Sequence, residues 1–358
     1  MQRHTKARFR NTTVCLAAAA TVTALSACSS ESGKSGDAGG AHIKVAVASN
    51  AVNYAAFWVA SGENLFKKHG VTVDVVNANA LAVAPSLLTS GRTDLLLTSA
   101  SQEISVAAAG KPINIIQAMF NYSPRGLAFV GSSKVKSMAQ LKAKGSNCKI
   151  ATTQKGTAVY AFARQVARAY GLKCSLTELT TNPLEVAAMT AGRADAAAFT
   201  PADAVTVIAR GAHALIDPSS ITDRQAAKIV PKPFPILTVS GLTSTLKKKS
   251  PAVERFLAGL QEGLGQLRSE SADEVAAILA KTPYFQGLSA AQLAQSLKPA
   301  MSSFPSGARA GVISEADWTT ALKSFQLDFG LPGFDAKDPK FGYATIVNMS
   351  YLKKSKDK

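Results

Sequence analysis

Two copies of one short pattern constrain the fold of this chain more than any other feature of its sequence. Residues 87–101 begin LLTSGRTD and residues 188–202 begin AMTAGRAD, so that Gly91 corresponds to Gly192. Each copy is typical of a helix end, a glycine that accepts the left-handed backbone there, a polar turn and a short strand buried on both faces of a parallel sheet. The plainer alternative is a helix-to-strand turn that merely recurs. The repeat predicts two similar α/β lobes.

Strand and helix patterns alternate on both sides of this repeat. Apolar runs that favour strands occur at 43–48, 71–76, 95–97, 113–120, 126–130, 149–152, 175–179, 196–199, 214–216 and 236–241. One helix is predicted from about Asn53 to Lys68, and residues 250–330 are mostly amphipathic helix. The alternation predicts an α/β fold with two doubly wound parallel-sheet lobes, a two-crossing hinge and C-terminal helices. The predicted domains are 42–124 with 237–358 (lobe I) and 125–236 (lobe II).

The first 28 residues have the order of parts of a secretory signal peptide. A basic start is followed by the apolar run 14–25, which is short for a membrane span, and the sequence LSAC ends at Cys28. LSAC resembles the bacterial lipobox, which predicts cleavage before Cys28 and its acylation with palmitate; an ordinary signal peptide is the alternative. Residues 29–41 predict a flexible tether. The chain is therefore expected to be extracytoplasmic and lipid-anchored to the cell membrane.

The chain is basic, with a formal net charge of +17 over 358 residues. Its lysines are scattered, and the small clusters at 247–249 and 353–354 contain no aromatic residues. Nucleic acid is therefore not expected as a partner. On a lipid-anchored protein such clusters more often face an anionic membrane or keep the protein soluble. A monomer is expected.

Polar residues follow the predicted strands, at the edge where open parallel sheets bind ligands. Helix starts near Asn53, Ser101 and Thr157 would offer N–H groups and hydroxyls to a negative group. Tyr54 and Phe199 are predicted to enclose a flat or apolar part of the ligand. Each residue alone is equally well explained as a helix cap or a core aromatic residue, so the prediction depends on their coincidence. The predicted ligand-binding residues are Ser49, Asn50, Asn53, Tyr54, Thr98, Ser99, Ser101, Asn121, Gly156, Thr157, Phe199, Thr200 and Asp203.

These motifs, in this order, resemble the nitrate/sulfonate/taurine-type substrate-binding proteins of ABC transporters, also called SsuA/THI5-like. The resemblance depends on residues 53–58 (NYAAFW), the GRTD and GRAD turns, Gly156-Thr157 and residues 199–203 (FTPAD). It implies a periplasmic-binding-protein-like fold that closes on a small ligand and delivers it to ABC permease and ATPase subunits. Phe199 stands where a tryptophan is common in that family, which leaves the ligand open.

Net charge and hydroxyl-rich helix starts favour a small anionic or polar ligand, such as a sulfonate, a nitrate-like anion or a carboxylate. A thiamine-type pyrimidine or aromatic ligand is the alternative. An enzyme on the same fold and an adhesion or sensor lipoprotein are alternatives of other classes. The histidines have no metal-ligand spacing, and there is no nucleophile elbow or phosphate loop, so no catalysis, metal or cofactor is expected. The carboxylates expected near the ligand are Glu103, Glu185 and Asp203.

Cys148 and Cys174 each directly precede a predicted parallel strand, and one helix joins the two strands. If the strands are neighbours, both thiols lie at the amino ends of the sheet and within reach of a disulfide. An exported protein meets oxidising conditions, which favours the bond. Two reduced, buried thiols are the alternative.

Overall fold

A computed structural model describes residues 41–78, 83–180 and 182–358. The predicted signal peptide, Cys28 and nearly all of the predicted tether lie outside these residues. The described residues form two five-stranded sheets. The strands are β1 (Ala41–Val47), β2 (Val71–Asn77), β3 (Leu95–Ser99), β4 (Ile113–Tyr122), β5 (Ala128–Gly131), β6 (Lys149–Thr153), β7 (Ser175–Leu179), β8 (Ala196–Phe199), β9 (His213–Ile216) and β10 (Phe234–Leu242).

Helices cover the sheets and make up most of the chain after β10. They are α1 (Ala55–Gly62), α2 (Leu65–Lys68), α3 (Ala84–Thr89), α4 (Ala100–Ala108), α5 (Met138–Ala143), α6 (Ala158–Tyr170), α7 (Asn182–Thr190), α8 (Pro201–Ile208), α9 (Asp223–Ile229), α10 (Thr243–Lys248), α11 (Ser250–Ser269), α12 (Ala272–Lys281), α13 (Ala290–Ala300), α14 (Glu315–Ser324), α15 (Tyr343–Ile346) and α16 (Ser350–Ser355). A π-helical turn, Phe325–Phe329, follows α14. Among these described helices, none combines the length and apolar character that a membrane crossing requires.

The single helix predicted from Asn53 to Lys68 is wrong, because the structure divides it into α1 and α2. Asn64 has a φ of 56° and lies in the left-handed region, which a right-handed helix cannot continue through. A 3-10 turn, Val52–Tyr54, precedes α1.

The two sheets are mixed, whereas the sequence predicted parallel sheets. The first has the order β2-β1-β3-β10-β4 and the second β7-β6-β8-β5-β9. β1, β2 and β3 are parallel, as are β6, β7 and β8. β10 is antiparallel to both of its neighbours, and so is β5. β5 and β10 are the first strands after the chain passes from one sheet to the other. They enter from the edge where the preceding strands ended, and this reverses their direction.

The GRxD repeat builds the same turn in each sheet. Gly91 and Gly192 have φ values of 72° and 66°, so both end their helices in the left-handed conformation. The Asp94 carboxylate accepts the backbone N–H of Lys44 at 2.8 Å. The Asp195 carboxylate accepts that of Lys149 at 2.9 Å. Each aspartate thus joins the amino end of its own strand to the neighbouring parallel strand, and the repeat has a structural role at the amino ends of β3 and β8.

The predicted disulfide between Cys148 and Cys174 is confirmed. The two Cα atoms are 4.4 Å apart, and the residues are 26 positions apart in the chain. Lys149 pairs with Ser175 at the start of β6 and β7, so neighbouring strands place both cysteines at the same edge. This is the edge at which Asp195 fixes the start of β6.

Helix α11 holds the C-terminal helices against the first sheet. It contacts α1, α2, α16 and β1, and its apolar side includes the fully buried Phe256, Leu260 and Leu264. Gly263 permits the close approach to α1, since a Cβ there would lie 2.5 Å from the carbonyl oxygen of Ala56. The prediction of a mostly helical C-terminal region is confirmed.

Candidate functional site

The carboxyl ends of the parallel strands of the two sheets meet. Ser101 lies in the first turn of α4, which follows β3, and Gly156 precedes α6 after β6. The Ser101 hydroxyl donates to the Gly156 carbonyl oxygen at 2.5 Å. We call this junction, between the ends of β1 and β3 on one side and of β6 and β8 on the other, the cleft. The sequence placed the candidate residues at these strand ends.

On the first sheet, the cleft is lined by hydroxyls at the end of β3 and at the start of α4. Ser99 and Ser101 are buried, and their hydroxyl oxygens are 2.6 Å apart. Thr98 is fully buried, and its hydroxyl oxygen has no hydrogen-bond partner. Buried hydroxyls are usually paired, so this one is available to a ligand or a water.

Glu103 and Tyr54 add a second set of unpaired atoms on the first sheet. Glu103 is fully buried; its Oε2 accepts the Thr238 hydroxyl at 2.6 Å, and its Oε1 has no partner. Burial raises the pKa of Glu103 to about 7, although the nearby Ser240 and Thr238 hydroxyls oppose the rise. The Tyr54 hydroxyl is also buried and unpaired. Burial, and secondly the charge of Glu103, raises its pKa well above the usual value.

Four further predicted residues are only half-buried, three of them in the loop after β1 and one near the end of β4. Ser49, Asn50 and Asn53 are half-buried. The Ser49 hydroxyl accepts the N–H of Ala51 at 3.2 Å, and the Asn50 side-chain oxygen accepts from the Asn77 amide. Asn53 Oδ1 is buried without a partner. Asn121, near the end of β4, is half-buried and pairs in register with Pro235 of β10.

On the second sheet, Thr157 is the N-cap of α6. Its hydroxyl accepts the Tyr160 N–H at 3.2 Å and donates to the Gln154 carbonyl at 2.8 Å, and it lies 2.5 Å from the Thr153 hydroxyl. The ordinary capping role therefore accounts for Thr157. The Gly156 N–H donates to the Phe329 carbonyl at 2.7 Å, so this N–H is occupied as well.

Phe199 lies in the core of the second sheet. Its side chain is fully buried in a hydrophobic cluster with Val186, Ala204 and Val207. This packing accounts for an aromatic residue at the end of β8 without a ligand.

Two carboxylates lie together at the cleft edge of the second sheet. Thr200 follows β8, and its hydroxyl donates to Asp203 at 2.6 Å. Glu185, in the first turn of α7, is fully buried, and neither of its carboxylate oxygens has a hydrogen-bond partner. Burial, and secondly the charge of Asp203, raises the pKa of Glu185 to about 9. The sequence placed Glu185 near the ligand, but its unpaired state is visible only in the folded chain.

Sequence reasoning missed the part of the C-terminal region that reaches the cleft. The π-helical turn 325–329 packs on α6, and Leu331 lies 3.2 Å from the position of a Cβ on Gly156. Its Asp328 carboxylate is buried and accepts from Gln165 and from Arg168, each at 3.0 Å. The hydroxyl of Tyr122, at the end of β4, donates to Gln165 at 2.6 Å. No sequence pattern links residues so far apart.

Two surface cavities lie away from the cleft. One, of about 550 Å³, lies beside the GRTD turn and is lined by charged residues that include Lys44, Arg92 and Lys249. The other, of about 440 Å³, is lined by Lys142, Tyr170 and Lys228 among others. In the described part of the chain, no three histidine, cysteine or acidic side chains are grouped so as to hold a metal ion.

The fold is that of the periplasmic binding proteins, with two α/β halves whose polar strand ends meet at a cleft. The chain belongs to the NMT1/THI5-like family, whose model matches residues 51–271. No curated protein matches it. The predicted family resemblance and fold class are thereby confirmed, with mixed sheets in place of parallel ones.

Solved structures with this fold include three binding proteins. The periplasmic nitrate-binding protein NrtA from Synechocystis PCC 6803 is 14% identical, with 89% of each chain covered and a TM-score of 0.68. A ligand-binding component of an ABC-type import system from Staphylococcus aureus, with zinc bound, is 14% identical, with 88% of this chain and 99% of that chain covered and a TM-score of 0.68. The alkanesulfonate-binding protein SsuA from Xanthomonas axonopodis pv. citri, bound to MOPS, is 18% identical, with 84% and 97% covered and a TM-score of 0.62.

Proposed function

We propose that this chain is an extracytoplasmic solute-binding protein, not an enzyme, which captures a small polar ligand in the cleft and delivers it to the permease and ATPase of an ABC importer. Lobe I would comprise 42–124 and 237–358, and lobe II 125–236. This division is supported by the strands, because β1 to β4 and β10 share one sheet and β5 to β9 share the other.

One observation supports ligand binding most strongly: buried polar atoms without partners flank the cleft on both sheets. The Thr98 and Tyr54 hydroxyls lie on the first sheet and the Glu185 carboxylate on the second. An unpaired buried polar group costs about 1–3 kcal/mol, and folded proteins contain few of them. A ligand that supplies the missing partners recovers this free energy, so the cleft favours the bound state.

The proteins of similar fold support the same role. Those named above bind nitrate or alkanesulfonates, or belong to an ABC-type import system. The proposed ligand-binding residues are those predicted from the sequence, with Thr157 and Phe199 assigned to capping and core packing and Glu103 and Glu185 added.

Membrane attachment is part of the proposal and depends on the LSAC sequence that ends at Cys28. Cys28→Ser should abolish labelling of the chain by a radioactive fatty acid and leave the protein released or unprocessed. Labelling that persists in this variant would contradict lipid attachment and leave solute binding unaffected.

Ligand binding is tested by thermal unfolding across a panel of sulfonates, nitrate, carboxylates, aminopyrimidines and amines. A ligand at 100 times its dissociation constant should stabilise the chain by about 2.7 kcal/mol, because it binds only the folded state. The same mixtures are analysed by mass spectrometry after incubation. An unchanged ligand agrees with a binding protein, whereas steady conversion to a product would identify an enzyme.

A further inference from the structure

The carboxyl group of Glu185 has no hydrogen-bond partner, although it is buried and the lack of a partner costs free energy. The side chain is fully buried, and among the described residues neither oxygen accepts a hydrogen bond or forms an ion pair. A buried carboxyl group is normally hydrogen-bonded, and its ionised form requires a cation or several donors. Glu185 lies in the first turn of α7, which begins at the cleft edge of the second sheet. The missing partner is therefore expected from the cleft.

The elements packed against α7 supply no cation to Glu185. These elements are β6, β7, β8 and α8. The one basic residue on them, Lys149, lies at the opposite end of β6, where its N–H pairs with Asp195. On β7, Glu178 is paired with Lys155, and β8 has no ionisable residue. On α8, Asp203 adds a second negative charge near Glu185.

The first sheet also has a buried carboxyl group with an unpaired oxygen beside the cleft. Glu103 is buried with Oε1 unpaired, and the Tyr54 hydroxyl is unpaired nearby. Each sheet thus contributes one buried carboxyl group with an unpaired oxygen, although the chain as a whole is strongly basic. This arrangement suits a ligand that brings N–H donors and positive charge.

We infer that the cleft takes a small organic cation, an amine or an amidinium. Its N–H groups donate to Glu185, and the negative charge of Asp203 helps to balance the positive charge of the cation. The inference rests on the proposed function and deepens it. The inferred cation differs from the anionic ligand that the net charge of the chain predicts. A ligand loses its water in the cleft, so the charges that line the cleft select the ligand, and the total charge of the chain does not.

The raised pKa of Glu185 gives the inference a second consequence. Below about 9 this carboxyl is mostly protonated in the empty cleft. A cation binds the ionised form, so binding releases a proton, and the affinity rises with pH until it levels off above that pKa. Glu103 has a lower pKa, of about 7, and is therefore mostly ionised at pH values near the pKa of Glu185.

The test compares cationic probes, benzamidinium and agmatine, with the anions benzoate and butanesulfonate. Titration calorimetry between about pH 7.5 and 9.5, in pairs of buffers that differ in ionisation enthalpy, measures affinity and proton release together. We expect the cations to bind and the anions not to. Binding should release nearly one proton near pH 7.5 and about a quarter of a proton near pH 9.5, where the affinity should be roughly twentyfold higher.

Variants identify the group that titrates. Glu185→Gln should weaken cation binding at least about tenfold and remove both the proton release and the pH dependence, whereas Glu185→Asp should retain the pH dependence. Glu178→Gln, on the neighbouring strand, should bind like the wild type. Thermal unfolding of each variant confirms that it is folded.

Two results would overturn the inference. If an anion binds in the cleft and Glu185→Gln leaves or improves its affinity, the cation assignment is wrong while solute binding stands. If cations bind with no proton release and no effect of Glu185→Gln, Glu185 is not their partner. Failure of the whole solute panel would count against the proposed function itself.

Discussion

Replacing both Cys148 and Cys174 with serine is expected to lower the free energy of unfolding by about 3–4 kcal/mol. The disulfide closes a loop over 26 positions between neighbouring strands. Its loss increases the conformational entropy of the unfolded chain. Urea unfolding measures the difference. Because Cys148 is fully buried, part of any effect could come from the serine hydroxyl.

The wild-type protein under a strong reductant separates these contributions. It should lose most of the same free energy while keeping the cysteine side chains, and each denatured chain should gain two alkylation sites for this pair. A reduced protein as stable as the oxidised one would show that the bridge does not stabilise the fold.

Asp328→Ala is expected to lower the free energy of unfolding by about 2–3 kcal/mol. The Asp328 carboxylate is buried and joins the C-terminal π-helical turn to Gln165 and Arg168 on α6. The variant leaves the side-chain amide of Gln165 without this acceptor. Arg168 is half-exposed and can be hydrated, so the loss of stability is smaller than for breaking a fully buried ion pair.

Asp357→Ala is the matched control, since Asp357 is an exposed aspartate in the same C-terminal region. It should change the free energy of unfolding by no more than about 0.5 kcal/mol. Equal effects of the two substitutions would show that the contact between the π-helical turn and α6 contributes little.

Local sequence signals predicted the elements well but could not predict strand direction. The run at 71–76 reads as a strand because β-branched residues dominate it, and Gly91 and Gly192 end their helices as glycine does elsewhere. β5 and β10 have the same apolar composition as their parallel neighbours. Their reversal depends on where the chain crosses between the sheets, which no local pattern records.

The sequence indicated which polar residues lie at the strand ends, but not the role of each one. A threonine at a helix start suits a cap and a ligand contact equally, and only the contacts of Thr157 with Gln154 and Tyr160 identify the cap. The unpaired oxygens of Glu185 arise from tertiary burial, and a lone glutamate in a helical first turn is ordinary in a sequence. Asp328 reaches α6 through the fold alone.

The measurement that tests the central claim most directly is calorimetric titration of the tightest-binding solute against variants on both sheets. Thr98→Val and Thr200→Val alter the first and second sides of the cleft, and Thr345→Val is a control at an exposed threonine of α15. A ligand held between the sheets should bind one per chain and lose about 1–3 kcal/mol with each cleft variant, because each removes a hydroxyl at the strand ends. The control should bind like the wild type. Affinity unchanged in both cleft variants would contradict binding between the two sheets.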